Sequence, residues 1–425
     1  MRELLLASAA TLLAAGTAFA QPAKQVAAPG SIVVHLHGYL QFGFGAYGSN
    51  GMTNSNYKLS NTGSFGDVRI YPGFDAQTVN GIWYGAQVEL RTTTSSAGKG
   101  VTNNSNASQG DIYVRRAYGY IGMPEYGFVR FGQTDSAFSL LQTGVIEKFG
   151  DVGQFHADGG QNMLYPGTAP GNFIYANQGP LYTTDKIVYL TPTVDVLAGG
   201  LSGAIGFEPN SNGLKEGYAS TGSTSGANVS SLAGGSNSRR RNTIDVMVAY
   251  KNKLAGFANK VSFGYLHGSP LGSTNGSYGA SAPYGYDELS VFQAGAQTTY
   301  AGLTVGANIK TGQVEDGYTF KPKGARDALS YIVGATYEVG PYILGVSYFN
   351  GQSSGAYVPG STGVARTLSE YGVAVGGNYA VAKPLSLFVQ YEYGHKHQPG
   401  ATGSTWGANG NAQVQSIAVG ATMKW

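Results

Sequence analysis

The 425-residue sequence contains no cysteine, and only 12% of its residues are charged. The lack of cysteine excludes disulfides, thiolate metal sites and a cysteine nucleophile. The charged fraction is about half of that in typical soluble domains, so a soluble surface made from this chain would lack the charge that keeps a protein dispersed. The net charge of +3 is too small to suggest a nucleic-acid partner.

Long hydrophobic runs are also scarce, and the one clear case opens the chain. Residues 4–15 are mostly apolar and are followed by Ala18-Phe19-Ala20. This pattern predicts a secretory signal peptide at residues 1–20, cleaved after Ala20. The alternative, a membrane anchor, would need a somewhat longer run. No helix-length apolar run follows, which excludes a helical inner-membrane protein.

Alternation of side-chain polarity is what the chain has in abundance, together with 66 glycines and 30 tyrosines. Near the end of the chain, Ile417, Val419 and Met423 alternate with Ser416 and Thr422. Successive side chains of a strand point to opposite faces, so one face can meet lipid while the other meets water. Because the inward residues are small, we expect a lumen that is kept open.

Sixteen segments show this alternation. They are residues 34–47, 66–79, 82–94, 111–123, 127–134, 183–191, 200–208, 242–251, 258–268, 286–300, 302–312, 326–339, 341–351, 367–381, 385–397 and 412–425. Each is close to the roughly 9–11 residues that a tilted strand needs to cross a bilayer. Short connections such as Asn80-Gly81 alternate with long ones rich in glycine and serine, as in outer-membrane barrels.

These features predict an all-β fold, a 16-stranded antiparallel transmembrane β-barrel over residues 34–425, preceded by a mature N-terminal segment at 21–33. Unpaired backbone groups are not tolerated in lipid, so residues 412–425 must pair with residues 34–47 to close the sheet. The alternative, a soluble β-sandwich or propeller, would show shorter strands and no lipid-facing stripe.

Residues 135–182 interrupt the alternation and carry Glu147, Asp151 and Asp158 among glycines and aromatic residues. We expect this third long loop to fold into the lumen and narrow it. Sixteen strands enclose an interior that is too wide for wall side chains to fill. An inserted segment would therefore set the width of the channel.

Basic residues on the early strands are the candidates for the opposite side of the constriction. Alternation places Arg69, Arg91 and Arg130 on the inner face, but it leaves open which of Arg115 and Arg116 points inward. A charge facing lipid costs about 2–4 kcal/mol near the midplane, so one of this pair must lie near a rim or at a bulge.

Two stretches resemble the Gram-negative general porins. They are Arg116-Ala117-Tyr118-Gly119-Tyr120-Ile121-Gly122 and, after a short turn, Tyr126-Gly127-Phe128-Val129-Arg130-Phe131-Gly132-Gln133. The last strand is similar to the assembly signal of outer-membrane barrels, although it ends in Trp425 where the family usually has phenylalanine. The resemblance implies an outer-membrane homotrimer whose third loop narrows each pore, with loop acids facing a basic wall cluster.

The expected function is passive diffusion of small hydrophilic solutes and ions, without catalysis, cofactor or metal. A carbohydrate-selective channel is the alternative, since inward tyrosines such as Tyr39 and Tyr71 could stack on sugar rings. A barrel enzyme would need a catalytic constellation at one rim, which we do not find in the sequence. Besides membrane lipid, lipopolysaccharide is a candidate partner for the arginine triplet at residues 239–241, whose other interpretation is a solvated loop charge.

Overall fold

The computed structural model describes residues 27–49, 58, 60–92, 112–155, 184–211, 229–278, 282–315, 318–357, 365–399 and 410–425. The predicted signal peptide, Asp158 and the second half of the third loop therefore lie outside the described residues. Within the described part of the chain, no helix has the length and apolar character needed to span a membrane.

The described residues form nineteen strands and one short helix. The strands are β1 Ser31–Ser49, β2 Thr62–Gln77, β3 Trp83–Thr92, β4 Ile112–Met123, β5 Gly127–Gln133, β6 Asp185–Leu190, β7 Val194–Val196, β8 Gly199–Asn210, β9 Ser231–Leu232, β10 Arg240–Leu254, β11 Phe257–Pro270, β12 Gly272–Ser273, β13 Leu289–Tyr300, β14 Leu303–Gln313, β15 Ala328–Val339, β16 Tyr342–Tyr357, β17 Ala365–Ala382, β18 Leu385–His397 and β19 Asn411–Lys424. The helix is α1, Ala137–Leu140, which lies between β5 and β6.

Seventeen of these strands form one sheet, in which β6 and β7 both pair with β8 and share one place in the wall. The wall therefore has sixteen positions, and each predicted segment corresponds to one of them. Every pairing in this sheet is between antiparallel neighbours, and β1 pairs with β19 through contacts such as Phe42 with Ala421. The sheet closes as predicted, because only a closed sheet leaves no unpaired edge in lipid.

The two faces of the wall differ as the alternation indicates. On β19, Ile417, Val419 and Met423 are exposed on the outside, whereas Ser416 and Ala418 are buried on the inside. The same outward exposure of large apolar side chains recurs around the barrel. Single-sided apolar exposure of this kind is favourable only if the outer face meets hydrocarbon.

Short turns and long connections alternate along the chain. At Asn80-Gly81 the backbone N–H of Gly81 donates to the carbonyl of Thr78 at 3.0 Å, and Gly81 has a φ of +84°, a conformation that glycine adopts without strain. On the long-loop side, β9 and β12 form a separate parallel pair. The long connections are therefore partly structured.

The apolar core lies inside the barrel, between the third loop and one part of the wall. Phe138, Phe149 and Phe155 of the loop pack in one buried cluster with inward residues of β11, β13, β15 and β16. The wall residues of this cluster include Leu266, Val291, Ile332 and Phe349. The expectation of small and polar inward residues is therefore wrong for this part of the wall, because the loop covers it and excludes water.

Candidate channel constriction

Five arginines lie side by side on the inner face of β2 to β5. They are Arg69, Arg91, Arg115, Arg116 and Arg130, all buried or half-buried. Arg69 and Arg91 are direct partners in the β2–β3 register. Neighbouring strands lie only about 4.8 Å apart, so the sheet itself holds these guanidinium groups together despite their mutual repulsion.

A bulge explains why both Arg115 and Arg116 belong to this cluster. The β3–β4 register shifts between Glu89 and Leu90, so that Glu89 pairs with Arg116 and Leu90 pairs with Val114. Arg115 is the extra residue, and an extra residue re-aims side chains locally. Both guanidinium groups reach Glu89, at 3.3 Å from Arg115 Nη1 and 2.5 Å from Arg116 Nε. Because of the bulge, both Arg115 and Arg116 reach the inner face, so the question of which of the two points inward does not arise.

Three carboxylates lie directly against the arginines, Asp67 and Glu89 on the wall and Asp135 at the start of the third loop. Glu89 forms ion pairs with Arg91, Arg115 and Arg116. On β2, Asp67 accepts a hydrogen bond from Arg69 Nε at 2.5 Å. The first residue of the third loop, Asp135, lies 2.6 Å from Arg116 and 4.0 Å from Arg130. The sequence analysis did not single out these three acids. For Asp67 and Glu89 it could have done so, because the alternation of β2 and β3 places both side chains on the inner face.

Two aromatic rings complete the arginine cluster. The guanidinium of Arg69 lies 5.0 Å from the ring centroid of Tyr39, and that of Arg130 lies 4.7 Å from the ring centroid of Tyr118. Cations near ring faces are attracted by the ring quadrupole. The tyrosines therefore help to position the arginines along the inner wall.

The third loop follows the inner wall on the other side of the barrel. The backbone N–H of Phe138 donates to Asp245 on β10 at 2.6 Å, and the carbonyl of Thr143 accepts from Asn308 on β14 at 2.8 Å. Further along, the carbonyl of Asp151 accepts from Gln41 on β1 at 3.1 Å. Residues 135–155 thus cross the lumen side of the wall from β10 round to β1.

Glycines on the wall make room for this path. A Cβ added at Gly295 would lie 2.0 Å from the carbonyl oxygen of Thr143, and one at Gly345 would lie 2.2 Å from Phe149. Similar conflicts with the loop occur on three other strands, at Gly306, Gly334 and Gly372. The sequence analysis expected small inward residues to keep the lumen open. These glycines instead form a track along the wall that receives the loop.

The predicted loop acids occupy different places. Glu147 is buried, accepts the backbone N–H of Phe155 at 2.7 Å, and lies within electrostatic range of Lys310 on β14. It therefore faces the wall opposite the arginine cluster. Asp151 is also buried, but it lies within electrostatic range of Tyr39, the ring next to Arg69. Asp158 lies outside the described residues.

A second connection also reaches the third loop, and no feature of the sequence indicated this contact. Tyr318, from the connection between β14 and β15, packs against Phe138 with ring centroids 6.2 Å apart. Tyr318 is completely buried, and burial raises the pKa of its hydroxyl, so this group stays neutral. The third loop is thus held by the wall on one side and by this connection on another.

Comparison with known proteins agrees with this architecture. A family model described as Gram-negative porin matches residues 7–422. A comparison with curated protein sequences finds no match. Among solved structures, the chain is similar to an anion-selective porin from Comamonas acidovorans, with 14% identity, coverage of 93% of this chain and 100% of the other, and a TM-score of 0.55. It is also similar to in-vitro folded OmpT, an outer membrane protein of Vibrio cholerae, with 12% identity, coverage of 95% and 100%, and a TM-score of 0.51.

Proposed function

The chain belongs to the Gram-negative porin family and forms an outer-membrane diffusion channel, and from that premise we propose that residues 135–182 and the arginine cluster form its constriction. The observation that carries this proposal is the path of residues 135–155, which lie against the inner wall from β10 to β1. Arg69, Arg91, Arg115, Arg116 and Arg130 occupy the wall from β2 to β5. In this proposal, the loop and the cluster line different sides of the water-filled passage.

The charges of the cluster determine what can pass. Five arginines and the three carboxylates of Asp67, Glu89 and Asp135 leave a balance of 5 − 3 = +2. Fixed charges in a narrow channel produce a field that orders water and favours polar solutes. Apolar solutes would displace the ordered water without making polar contacts in return, so small hydrophilic solutes and ions are the expected cargo.

A carbohydrate-selective channel is the weaker alternative. Such a channel would need aromatic faces that are free to stack on sugar rings. The ring of Tyr39 already has Arg69 on one side and Lys424 at 6.0 Å from its centroid. Tyr118 is likewise engaged by Arg130. We therefore favour general diffusion over sugar selection.

We also propose that the chain catalyses no reaction. The most engaged acid of the cluster, Glu89, accepts hydrogen bonds or ion pairs from three guanidinium groups. A general base needs a free lone pair aimed at a substrate proton. Three strong donors on Glu89 oppose that role and support a purely electrostatic one.

The proposed setting is the outer membrane, reached through the predicted signal peptide, with the chain assembled as a homotrimer. Family membership supports both proposals. Of the arginine triplet, Arg240 is buried in an ion pair with Glu208, at 3.2 Å from Nε to Oε1, and Arg241 donates to the carbonyl of Ser230. Arg240, buried in its ion pair with Glu208, is therefore not available to lipopolysaccharide phosphates.

Planar-bilayer recording of the refolded protein tests the constriction. Wild type is expected to open in steps and close in three equal ones, as three pores in one trimer require. Replacing Arg69 and Arg91 together by alanine should raise the single-channel conductance for large ions, because two long side chains leave the constriction. Arg326→Ala, an exposed residue of the β14–β15 connection, is the matched control. Equal conductance in all three proteins would overturn the proposal.

A further inference from the structure

One residue of the described part of the third loop differs from all its neighbours. Among residues 135–155, Lys148 is the only exposed side chain. The residues on either side of it, Glu147 and Phe149, are 3% and 0% exposed. Because the segment lies on the inner wall, an exposed side chain on it projects into the open lumen. Within the described part of the loop, the exposed charged group is therefore an ammonium group, not a carboxylate.

Two further lysines extend from the wall toward this group. Lys260 on β11 and Lys424 on β19 both lie within electrostatic range of Lys148. Their neighbours Val261 and Met423 are exposed on the outer face, so the lysines themselves point inward. Strands β13 to β18 separate β11 from β19, which places Lys260 and Lys424 on nearly opposite sides of the wall. Lys148, on the loop inside the barrel, is within electrostatic range of both.

These lysines also differ from the arginine cluster in their partners. Within the described residues, no carboxylate forms an ion pair with Lys148, Lys260 or Lys424. The charged groups within range of Lys260 and Lys424 are themselves cationic, namely Lys251 beside Lys260 and Arg69 beside Lys424. The arginines are partly neutralised by Asp67, Glu89 and Asp135, whereas no described carboxylate neutralises the lysines.

We propose that Lys148, Lys260 and Lys424 form an anion-attracting cluster that spans the lumen and makes the channel prefer small anions such as chloride, phosphate and short carboxylates. This inference rests on the proposed diffusion function and specifies the solute class. Unpaired cations in a confined, water-filled space raise the local concentration of anions and repel cations. Ammonium groups on flexible stems remain strongly hydrated, so an anion can be attracted and released without being trapped.

The reversal potential in a potassium chloride gradient measures this preference. We expect wild type to be anion-preferring, with the preference weakening above roughly 0.1–0.15 M salt, where screening acts over about 8–10 Å. Each of Lys148→Gln, Lys260→Gln and Lys424→Gln should lower the chloride-to-potassium permeability ratio about fourfold, because one charge at roughly 10 Å in water acts on the two ions in opposite directions, about twofold on each. Lys148→Glu should lower it further, and Lys148→Arg should preserve it.

The matched control is Lys383→Gln, which removes the same charge from the exposed turn between β17 and β18 and should leave the reversal potential unchanged. Wild type without anion preference, or lysine variants equal to the control, would overturn the inference. Conductance is read in the same experiment and is independent of the reversal potential. Absence of stepwise conductance in wild type would instead overturn the diffusion function itself.

Discussion

The inner face of β2 to β5 and that of β11 to β17 belong to one closed sheet but differ in chemistry. The first carries buried or half-buried arginines and carboxylates in direct ion pairs. The second carries glycines and apolar residues such as Leu266 and Phe349, and the third loop covers it. Both faces are buried, and they differ in what their side chains contact: the wall is polar where opposite charges pair with each other and apolar where the third loop packs.

The largest expected effect comes from filling the glycine track. In the double variant Gly345→Ala and Gly372→Ala, the new methyl groups would lie 2.2 Å from Phe149 and 2.5 Å from Phe155. Overpacking of this kind costs about 1–3 kcal/mol per site, so the loop should detach and the conductance should rise.

Single-channel recording and urea unfolding in vesicles check this prediction. Gly66→Ala on β2 is the control, since its added Cβ has no neighbour closer than 3.7 Å. If the double variant keeps wild-type conductance and stability, the track does not hold the loop.

Removing the apolar anchor of the loop is expected to have the next largest effect. Phe138 is 1% exposed and packs against Tyr318. Phe138→Ala should lower the free energy of unfolding by about 3–5 kcal/mol, as for other buried phenylalanines, and should increase fluctuations of the open-channel current. Phe292→Ala, at a 44% exposed outer position, should leave current fluctuations at the wild-type level. Equally quiet currents in both variants would contradict the anchoring role.

On the polar side of the comparison, Glu89→Gln removes the carboxylate that Arg91, Arg115 and Arg116 share. Hydrogen bonds to charged groups contribute about 1.5–3 kcal/mol, so we expect a loss of stability in this range. Raising the salt concentration should reduce the loss, because added ions screen the remaining arginines. Urea unfolding at two salt concentrations measures both effects. Glu338→Gln, an exposed residue near a short turn, should show neither.

The smallest predicted effect concerns the ring below Arg130. Tyr118→Leu removes the ring at 4.7 Å from the guanidinium and the hydrogen bond to Gln87 at 2.9 Å. A cation–π contact contributes about 0.5–1 kcal/mol at partly exposed sites, so unfolding should be only slightly easier and conductance nearly unchanged. If Tyr118→Leu lowered the free energy of unfolding as much as Phe138→Ala does, the polar wall would be packed as tightly as the wall covered by the loop.

The barrel could be predicted from the sequence because strands in lipid obey a strict alternation. All sixteen positions correspond to predicted segments, and the closure of β19 on β1 follows from the need to pair every backbone group. The predicted segment ends at residue 191, near the end of β6, and Pro192 follows, which cannot donate a backbone hydrogen bond. The short strand β7 was missed, because residues 192–199 were predicted as a connection; the turn after it has positive φ at Leu197 and Ala198.

The site was only partly predictable. The alternation of side chains along each strand predicted that Arg69, Arg91 and Arg130 lie on the inner face, because this alternation depends only on the geometry of the strand. The orientation of Glu147 and Lys148 could not be predicted, because a loop has no repeating geometry that tells which side chain meets the wall. Phe149 and Phe155 could have indicated the packing of the loop. Large aromatic side chains in a loop that enters a barrel need a flat part of the wall to pack on, and the inward-facing glycines of the wall provide it.

The central claim, that the third loop is fixed to the glycine-bearing wall and thereby sets the channel, is tested most directly by a designed disulfide. The chain has no cysteine, so Ile146→Cys with Gly334→Cys introduces a single pair. An added Cβ at Gly334 lies 2.9 Å from that of Ile146, and a small outward shift reaches the roughly 3.5–4.5 Å of a relaxed disulfide. The account predicts that the pair oxidises in the folded protein and that the oxidised channel has the wild-type conductance. Failure to form the disulfide, or an oxidised channel whose conductance differs from that of wild type, would contradict it.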